Sequence, residues 1–117
     1  MVSLLLVDDE ANIIESIRAL IDWERHGIRH VETRLNAVDA LAYIRSEKPD
    51  IVITDIKMPV MDGLDLIREA QLAGADAEFI ILSGYDDFQF AQSAMQYGVK
   101  HYLLKPCGES DILDSLE

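Results

Sequence analysis

Residues 51–55 read Ile-Val-Ile-Thr-Asp, an unbroken apolar run that ends in a hydroxyl and a carboxylate. A short run of aliphatic residues is typical of a strand that is buried on both faces of a parallel sheet. Comparable runs occupy residues 4–7, 79–82 and 102–104, and a weaker run at 29–35 is interrupted by polar residues, as expected of an edge strand. The chain therefore predicts five strands, with residues 51–53 in the third.

Between the predicted strands, apolar residues recur at the three- and four-residue spacing of an amphipathic helix. The five stripes are Ile13, Ile17, Leu20 and Ile21; Ala37, Ala40, Leu41 and Ile44; Leu64, Ile67 and Ala70; Phe88, Ala91 and Met95; and Ile112, Leu113 and Leu116. Asn36 and Asp86 can cap the second and fourth helices, and Gly74 and Gly98 suit left-handed helix ends. The alternation predicts an α/β fold with a doubly wound parallel sheet between helices. We expect the flavodoxin-like form of this fold, with five strands in the order 2-1-3-4-5 and five surrounding helices.

The composition is that of one ordinary globular domain spanning residues 1–117. Ten basic against 22 acidic residues give a net charge of −12, which repels nucleic-acid phosphates and anionic membranes, so we expect direct contact with neither. The single Cys107 cannot form an internal disulfide, and the N-terminus lacks a secretory signal, so a cytoplasmic location is predicted. The last helix starts near Glu109 and the chain ends at Glu117, which leaves about two turns. We therefore expect the helix to be truncated and the chain to be a piece of a longer protein.

Polar side chains that could bind a ligand or react lie at the ends of four of the predicted strands. Asp8 and Asp9 follow the first strand, Asp55 ends the third, Ser83 ends the fourth, and Lys105 follows the fifth. The carboxyl ends of parallel strands share one edge of the sheet, and ligands bind there at the point where the strand order reverses. In the order 2-1-3-4-5, the two strands at that point are the ones that end in aspartates.

The chemistry of this group favours a phosphoryl site. Clustered carboxylates repel one another unless a cation neutralises them, and hard oxygen ligands without His or Cys favour Mg²⁺, or Mn²⁺, over zinc. Lys105 and Ser83 can hold phosphate oxygens by charge and by a hydroxyl donor. Asp55 is the best nucleophile, because it stands alone on the central strand and can form an acyl phosphate.

Four segments carry a family resemblance: residues 6–10 (LVDDE), 55–63 (DIKMPVMDG), 83–84 (SG) and 104–106 (LKP). Together they resemble the receiver domains of two-component response regulators, over the whole chain. The resemblance implies that a sensor histidine kinase phosphorylates Asp55, and that Lys105 contacts the phosphate. It also implies Mg²⁺ ligands, which would be Asp8, Asp9, Asp55 and the backbone carbonyl of Lys57.

The same resemblance implies a switch and an output. Ser83 and Tyr102 would form a switch pair that changes the face made by the fourth helix, fifth strand and fifth helix. Residues 84–88 (GYDDF), 90–91 (FA) and 20–23 (LIDW) resemble receivers fused to AraC-type helix-turn-helix domains. That implies a C-terminal DNA-binding effector domain outside this chain, transcription regulation, and a phosphorylation-dependent homodimer. Also implied are a cis bond before Pro106 and, from the bulk of Lys57 and Tyr85, slow self-dephosphorylation.

Three other functions stay open at this stage. A Mg²⁺-dependent aspartyl-phosphate phosphatase, a turnover enzyme, needs nearly the same groups, but usually has a second carboxylate where this chain has Lys57. A flavodoxin-like cofactor binder needs a phosphate-cradling loop after the first strand, where Asp8, Asp9 and Glu10 would repel phosphate. A receiver could also signal through partner binding without phosphorylation. We favour a phosphoacceptor that is not a turnover enzyme.

Ordinary packing roles are the alternative for the aromatic residues. Tyr102 is either the switch residue or a buried strand aromatic. Residues predicted to pack in the interior are Trp23, Phe88, Phe90 and Met95.

Overall fold

The structure, a computed structural model, describes residues 2–84, 92–93, 95–99, 101–104 and 108–116. Its strands are β1 (Val2–Val7), β2 (Ile28–Arg34), β3 (Ile51–Asp55), β4 (Glu78–Ser83) and β5 (His101–Leu104). Its helices are α1 (Ala11–Leu20), a 3-10 helix (Trp23–His26), α2 (Ala37–Glu47), α3 (Gly63–Leu72) and a C-terminal helix (Glu109–Ser115). All strand pairs are parallel and the order is β2-β1-β3-β4-β5, which confirms the predicted fold class.

The central strands are buried on both faces because their successive side chains enter two different cores. The first core, towards α2 and α3, includes Leu5, Val7 and Val52. The second, towards α1 and the C-terminal helix, includes Leu4, Leu6 and Ile53. Continuous apolar runs such as residues 4–7 follow directly from this two-sided burial.

Several helix boundaries are encoded locally. The side chain of Asn36 accepts a hydrogen bond from the Asp39 N–H at 2.8 Å and caps α2, as predicted. Gly74 and Gly98 have φ values of +86° and +78°, the left-handed backbone expected of them. Asp62 and Asp65 form a capping box at the start of α3 that the sequence analysis did not single out. Asp86, the other predicted cap, lies outside the described residues.

Two of the predicted apolar stripes are wrong in detail. In α1 the buried residues are Ile14 and Ile17, so Leu20 lies roughly a quarter turn from the centre of the buried face and is exposed. Met95 is 51% exposed, so its predicted place in the interior is wrong. The prediction failed because helical spacing alone does not show how far neighbouring elements cover a residue. In the fourth predicted helix, residues 92, 93 and 95 are helical and residues 96–98 form a turn. Phe88, Phe90 and Ala91 lie outside the described residues.

Trp23 packs in the second core, as predicted. Trp23 is the first residue of the 3-10 helix, its side chain is buried, and its indole N–H donates to the Arg18 carbonyl at 3.0 Å.

Over the ranges that the structure describes, none of the helices has the length and apolarity that crossing a bilayer requires.

The β2 edge carries charged side chains. Glu32 accepts the Thr33 N–H at 3.2 Å and pairs with Arg34 at 3.2 Å, and these contacts, the Thr33 bond first, hold its pKa below the usual value. The Arg34 guanidinium lies 4.8 Å from the centroid of the Tyr43 ring, and burial raises the pKa of that phenol. Charges on an edge strand disfavour pairing with another chain.

Candidate metal centre

The carboxyl ends of β1 and β3 bring three aspartates together. Val7 and Thr54 are Cα partners, so the residues that follow them, Asp8 and Asp55, emerge side by side. Asp8 is 1% exposed and Asp55 is 4% exposed, whereas Asp9 reaches solvent. One carboxylate oxygen of each aspartate lies within 4.8 Å of the others. The three side chains can therefore share one cation.

The donor set fits a hard divalent ion. All three atoms are carboxylate oxygens, the ligands that Mg²⁺ and Ca²⁺ prefer over softer donors. Carboxylate oxygens this close to one another repel, and a shared cation would offset their negative charge.

Backbone N–H groups orient the two buried carboxylates. Asp8 Oδ1 accepts the Glu10 N–H at 2.9 Å, and Asp55 Oδ1 accepts the Ile56 N–H at 2.9 Å. Both bonds come from residues directly downstream, so the turn that ends each strand also fixes the carboxylate that it presents. The orientation of both carboxylates is therefore encoded locally, in the residues that follow each strand.

The loop after β3 returns the start of α3 to the end of that strand. The Gly63 N–H donates to the Ile56 carbonyl at 2.7 Å. A Cβ atom added at Gly63 would overlap the Asp55 carbonyl oxygen and lie 2.9 Å from the Ile56 Cα. Only glycine permits this approach, and it places α3 directly against the backbone of Asp55.

The same loop contains a strained residue at its tip. Val60 has a φ of +73° although it is β-branched, and its side chain is 98% exposed. The Met61 N–H donates to the Pro59 carbonyl at 2.8 Å, which closes a three-residue turn centred on Val60.

The other predicted site residues divide into placed and undescribed ones. Ser83 is fully buried at the end of β4, one residue beyond Leu82, the Cα partner of Asp55. Its hydroxyl has no hydrogen-bond partner within the described part of the chain. Lys57 is exposed at the start of the loop after β3. Lys105 lies outside the described residues. So do Tyr85, Pro106 and Cys107.

Tyr102 on β5 is 37% exposed. The alternative that it is a buried strand aromatic is therefore wrong.

Two contacts to the Asp55 backbone carbonyl were not predicted from the sequence. Thr54 is fully buried and its Oγ1 donates to the Asp55 carbonyl at 2.9 Å. The available signal was a hydroxyl in an otherwise aliphatic strand. The contact of Gly63 with Asp55 left no signal beyond an Asp-Gly pair, because the two positions are eight residues apart and meet only through the loop.

A family model for the response regulator receiver domain matches residues 4–117. The chain belongs to this family. The receiver domain is 46% identical over all of its 117 residues to the uncharacterized transcriptional regulatory protein YesN of Bacillus subtilis (strain 168). It spans 32% of that protein, so the relative is about three times as long.

Solved structures agree with this assignment. The receiver domain is 34% identical to the REC domain of AraT, a response regulator from Geobacillus stearothermophilus, with a TM-score of 0.86 and coverage of 98% and 88% of the two chains. A two component transcriptional regulator AraC from Clostridium phytofermentans ISDg is 27% identical, with a TM-score of 0.90 and coverage of 99% and 90%. The resemblance stated from sequence motifs is confirmed, and some neighbours come from AraC-type regulators.

Proposed function

We propose that this receiver domain accepts a phosphoryl group on Asp55 from a sensor histidine kinase. The observation that supports the proposal best is the approach of three carboxylate oxygens to within 4.8 Å at the carboxyl ends of β1 and β3. Asp8, Asp9, Asp55 and the Lys57 carbonyl would hold Mg²⁺. A bound Mg²⁺ would offset the negative charge of the cluster and of the incoming phosphate.

Asp55 is placed to act as the nucleophile. Its carboxylate is almost completely buried and is oriented by the Ile56 N–H, so few water molecules can compete with it for the phosphorus atom. One of its oxygens forms the new O–P bond as the P–N bond of the kinase phosphohistidine breaks, and the histidine nitrogen keeps the electron pair. Lys105 is proposed to contact the phosphate, as the family resemblance implies.

Ser83 and Tyr102 are proposed as the switch pair. The Ser83 hydroxyl is buried at the same rim as Asp55, where a new dianion offers it an acceptor. The Tyr102 ring is partly exposed, and we propose that it moves inwards when that hydroxyl moves away. The face made by the fourth helix, β5 and the C-terminal helix would then change and drive homodimer formation.

The output is proposed to be transcription regulation in the cytoplasm through a C-terminal effector domain. The similarity to YesN, which is a much longer transcriptional regulatory protein, supports an output domain, and the AraC-type neighbour supports its DNA-binding class. The receiver itself, with a net charge of −12, would not contact DNA.

A phosphatase is the second candidate, because the metal cluster would serve it equally well. The similar curated proteins are transcriptional regulators rather than turnover enzymes. Lys57 stands two residues after Asp55, where such phosphatases usually place a carboxylate. We therefore propose a signalling phosphoacceptor.

Incubation with acetyl phosphate and Mg²⁺ tests the proposal. Intact mass spectrometry should show one added phosphoryl group. The group should not form when EDTA is present during the incubation or in Asp55→Asn, but should form in Asp76→Asn, which removes an exposed carboxylate outside the cluster. Retention of the phosphoryl group in Asp55→Asn would contradict the assignment. Multiple turnover of a phosphate ester by the wild type would favour the phosphatase.

A further inference from the structure

β3 contains one hydroxyl in a position that packing alone would fill with valine. Thr54 is fully buried, and its Cα partners on the neighbouring strands are Val7 and Ile81. A buried hydroxyl is unfavourable unless it forms a hydrogen bond, and a β-branched aliphatic side chain of the same shape avoids that penalty. The bond that Thr54 forms therefore indicates what the hydroxyl is for.

That bond is made to the backbone of Asp55. Thr54 Oγ1 donates to the Asp55 carbonyl at 2.9 Å, and the N–H of the same peptide unit, on Ile56, donates to Asp55 Oδ1 at 2.9 Å. Because a peptide unit is planar, its carbonyl and its N–H rotate together. A rotation that broke the Thr54 bond would also turn the N–H away from the Asp55 carboxylate.

The far side of this peptide is held as well. The next carbonyl, on Ile56, accepts the Gly63 N–H at 2.7 Å, and α3 packs directly against the Asp55 carbonyl at Gly63. The peptide between Asp55 and Ile56 is thus clamped from the strand by a hydroxyl and from α3 by the backbone. One end of this clamped unit is the hydrogen bond that orients the carboxylate.

We propose that Thr54 is a positioning residue that sets the orientation of the Asp55 carboxylate through the Asp55–Ile56 peptide. The inference rests on the proposed function, because it concerns how well Asp55 accepts a phosphoryl group. The Thr54 hydroxyl donates to the Asp55 backbone carbonyl, so Thr54 would influence the carboxylate indirectly. It acts by reducing the number of carboxylate orientations that must be searched before reaction.

The test compares two substitutions that differ in the hydroxyl. Thr54→Val should lower the rate of phosphorylation by acetyl phosphate about 3- to 10-fold, the factor expected from one net hydrogen bond. Thr54→Ser keeps the hydroxyl and should stay within about 2-fold of the wild type. Ile53→Val removes a methyl group from the same strand and serves as the packing control, with a rate close to the wild type.

A second measurement tests the two hydrogen bonds of the Asp55–Ile56 peptide without metal or phosphate. The ¹H shift of the Ile56 amide in metal-free protein reports its bond to Asp55 Oδ1. It should move in Thr54→Val and stay near the wild-type value in Thr54→Ser and Ile53→Val.

Each outcome decides the proposal. A Thr54→Val rate no lower than that of Ile53→Val, an unchanged Ile56 shift, or a Thr54→Ser variant as impaired as Thr54→Val would overturn it. If Thr54→Val does not fold, Thr54→Ala and Thr54→Ser, which both lack the methyl group, make the same comparison. Failure of the wild type to take up a phosphoryl group would reject the proposed function instead, and the Ile56 shift would still test the clamp.

Discussion

Replacing Gly63 with alanine should damage both the fold and the phosphoacceptor site. The added Cβ would overlap the carbonyl oxygen of Asp55, so either the start of α3 or the end of β3 must retreat by about an ångström to reach ordinary van der Waals contact. That retreat would lengthen the 2.7 Å bond from the Gly63 N–H to the Ile56 carbonyl. The same movement would displace the backbone that carries Asp55.

The size of the effect follows from three contributions. Loss of one hydrogen bond removes about 1 kcal/mol, and overpacking costs about 1–3 kcal/mol. The lower entropy of alanine in the unfolded chain returns about 0.4–1 kcal/mol. We expect the free energy of unfolding of Gly63→Ala to be lower by about 2 kcal/mol.

Urea unfolding followed by circular dichroism measures this change, and Gly74→Ala is the matched control. Gly74 has a φ of +86° but has no atom within 4 Å of an added Cβ, so its replacement isolates the backbone cost, about 1 kcal/mol. Only Gly63→Ala should also slow phosphorylation by acetyl phosphate. A Gly63→Ala variant that is as stable as Gly74→Ala and is phosphorylated at the wild-type rate would refute the contact argument.

Three further predictions concern the loop, the metal and the β2 edge. Val60→Gly should raise the free energy of unfolding by about 0.5–1 kcal/mol, since relief of the positive φ of an exposed β-branched residue outweighs the entropy of glycine; a lower urea midpoint would contradict this. Mg²⁺ at 100 times its Kd should stabilise the wild type by about 2.7 kcal/mol. Asp9→Asn should lose most of that shift in thermal unfolding yet be more stable than the wild type without metal, because one of three repelling charges is gone; an undiminished Mg²⁺ response would count against a shared ion. Burial raises the pKa of Tyr43 above its ordinary value of 10.0, so the contribution of the neutral phenol to stability is complete below about pH 10 and is lost as the pH rises through the folded pKa. Tyr43→Phe should therefore lose less stability than the wild type between about pH 9 and pH 11, and equal losses in urea midpoints would exclude this role.

Much of the fold could be predicted because it depends on local patterns. The two-sided burial of β1 and β3 appears in the sequence as continuous apolar runs, and the charged edge strand β2 appears as an interrupted one. The cap at Asn36 and the left-handed glycines at 74 and 98 are also local, because each depends on a residue's own side chain and backbone preference. Asp8 and Asp55 could be assigned to one site from strand ends alone, since parallel strands share an edge.

Distances between segments depend on the packed structure. The close approach of Gly63 to the Asp55 carbonyl arises because the loop after β3 returns the start of α3 to the end of that strand, and this return depends on how α3 packs. The exposure of Met95 likewise depends on which elements cover a helix, and periodicity carries no information about that cover. Sequence alone thus determined which residues form the strands and end in carboxylates, because that information is local. Only the tertiary structure decided how closely the carboxylates of Asp8, Asp9 and Asp55 approach, because that approach joins two strand ends that are distant in the chain.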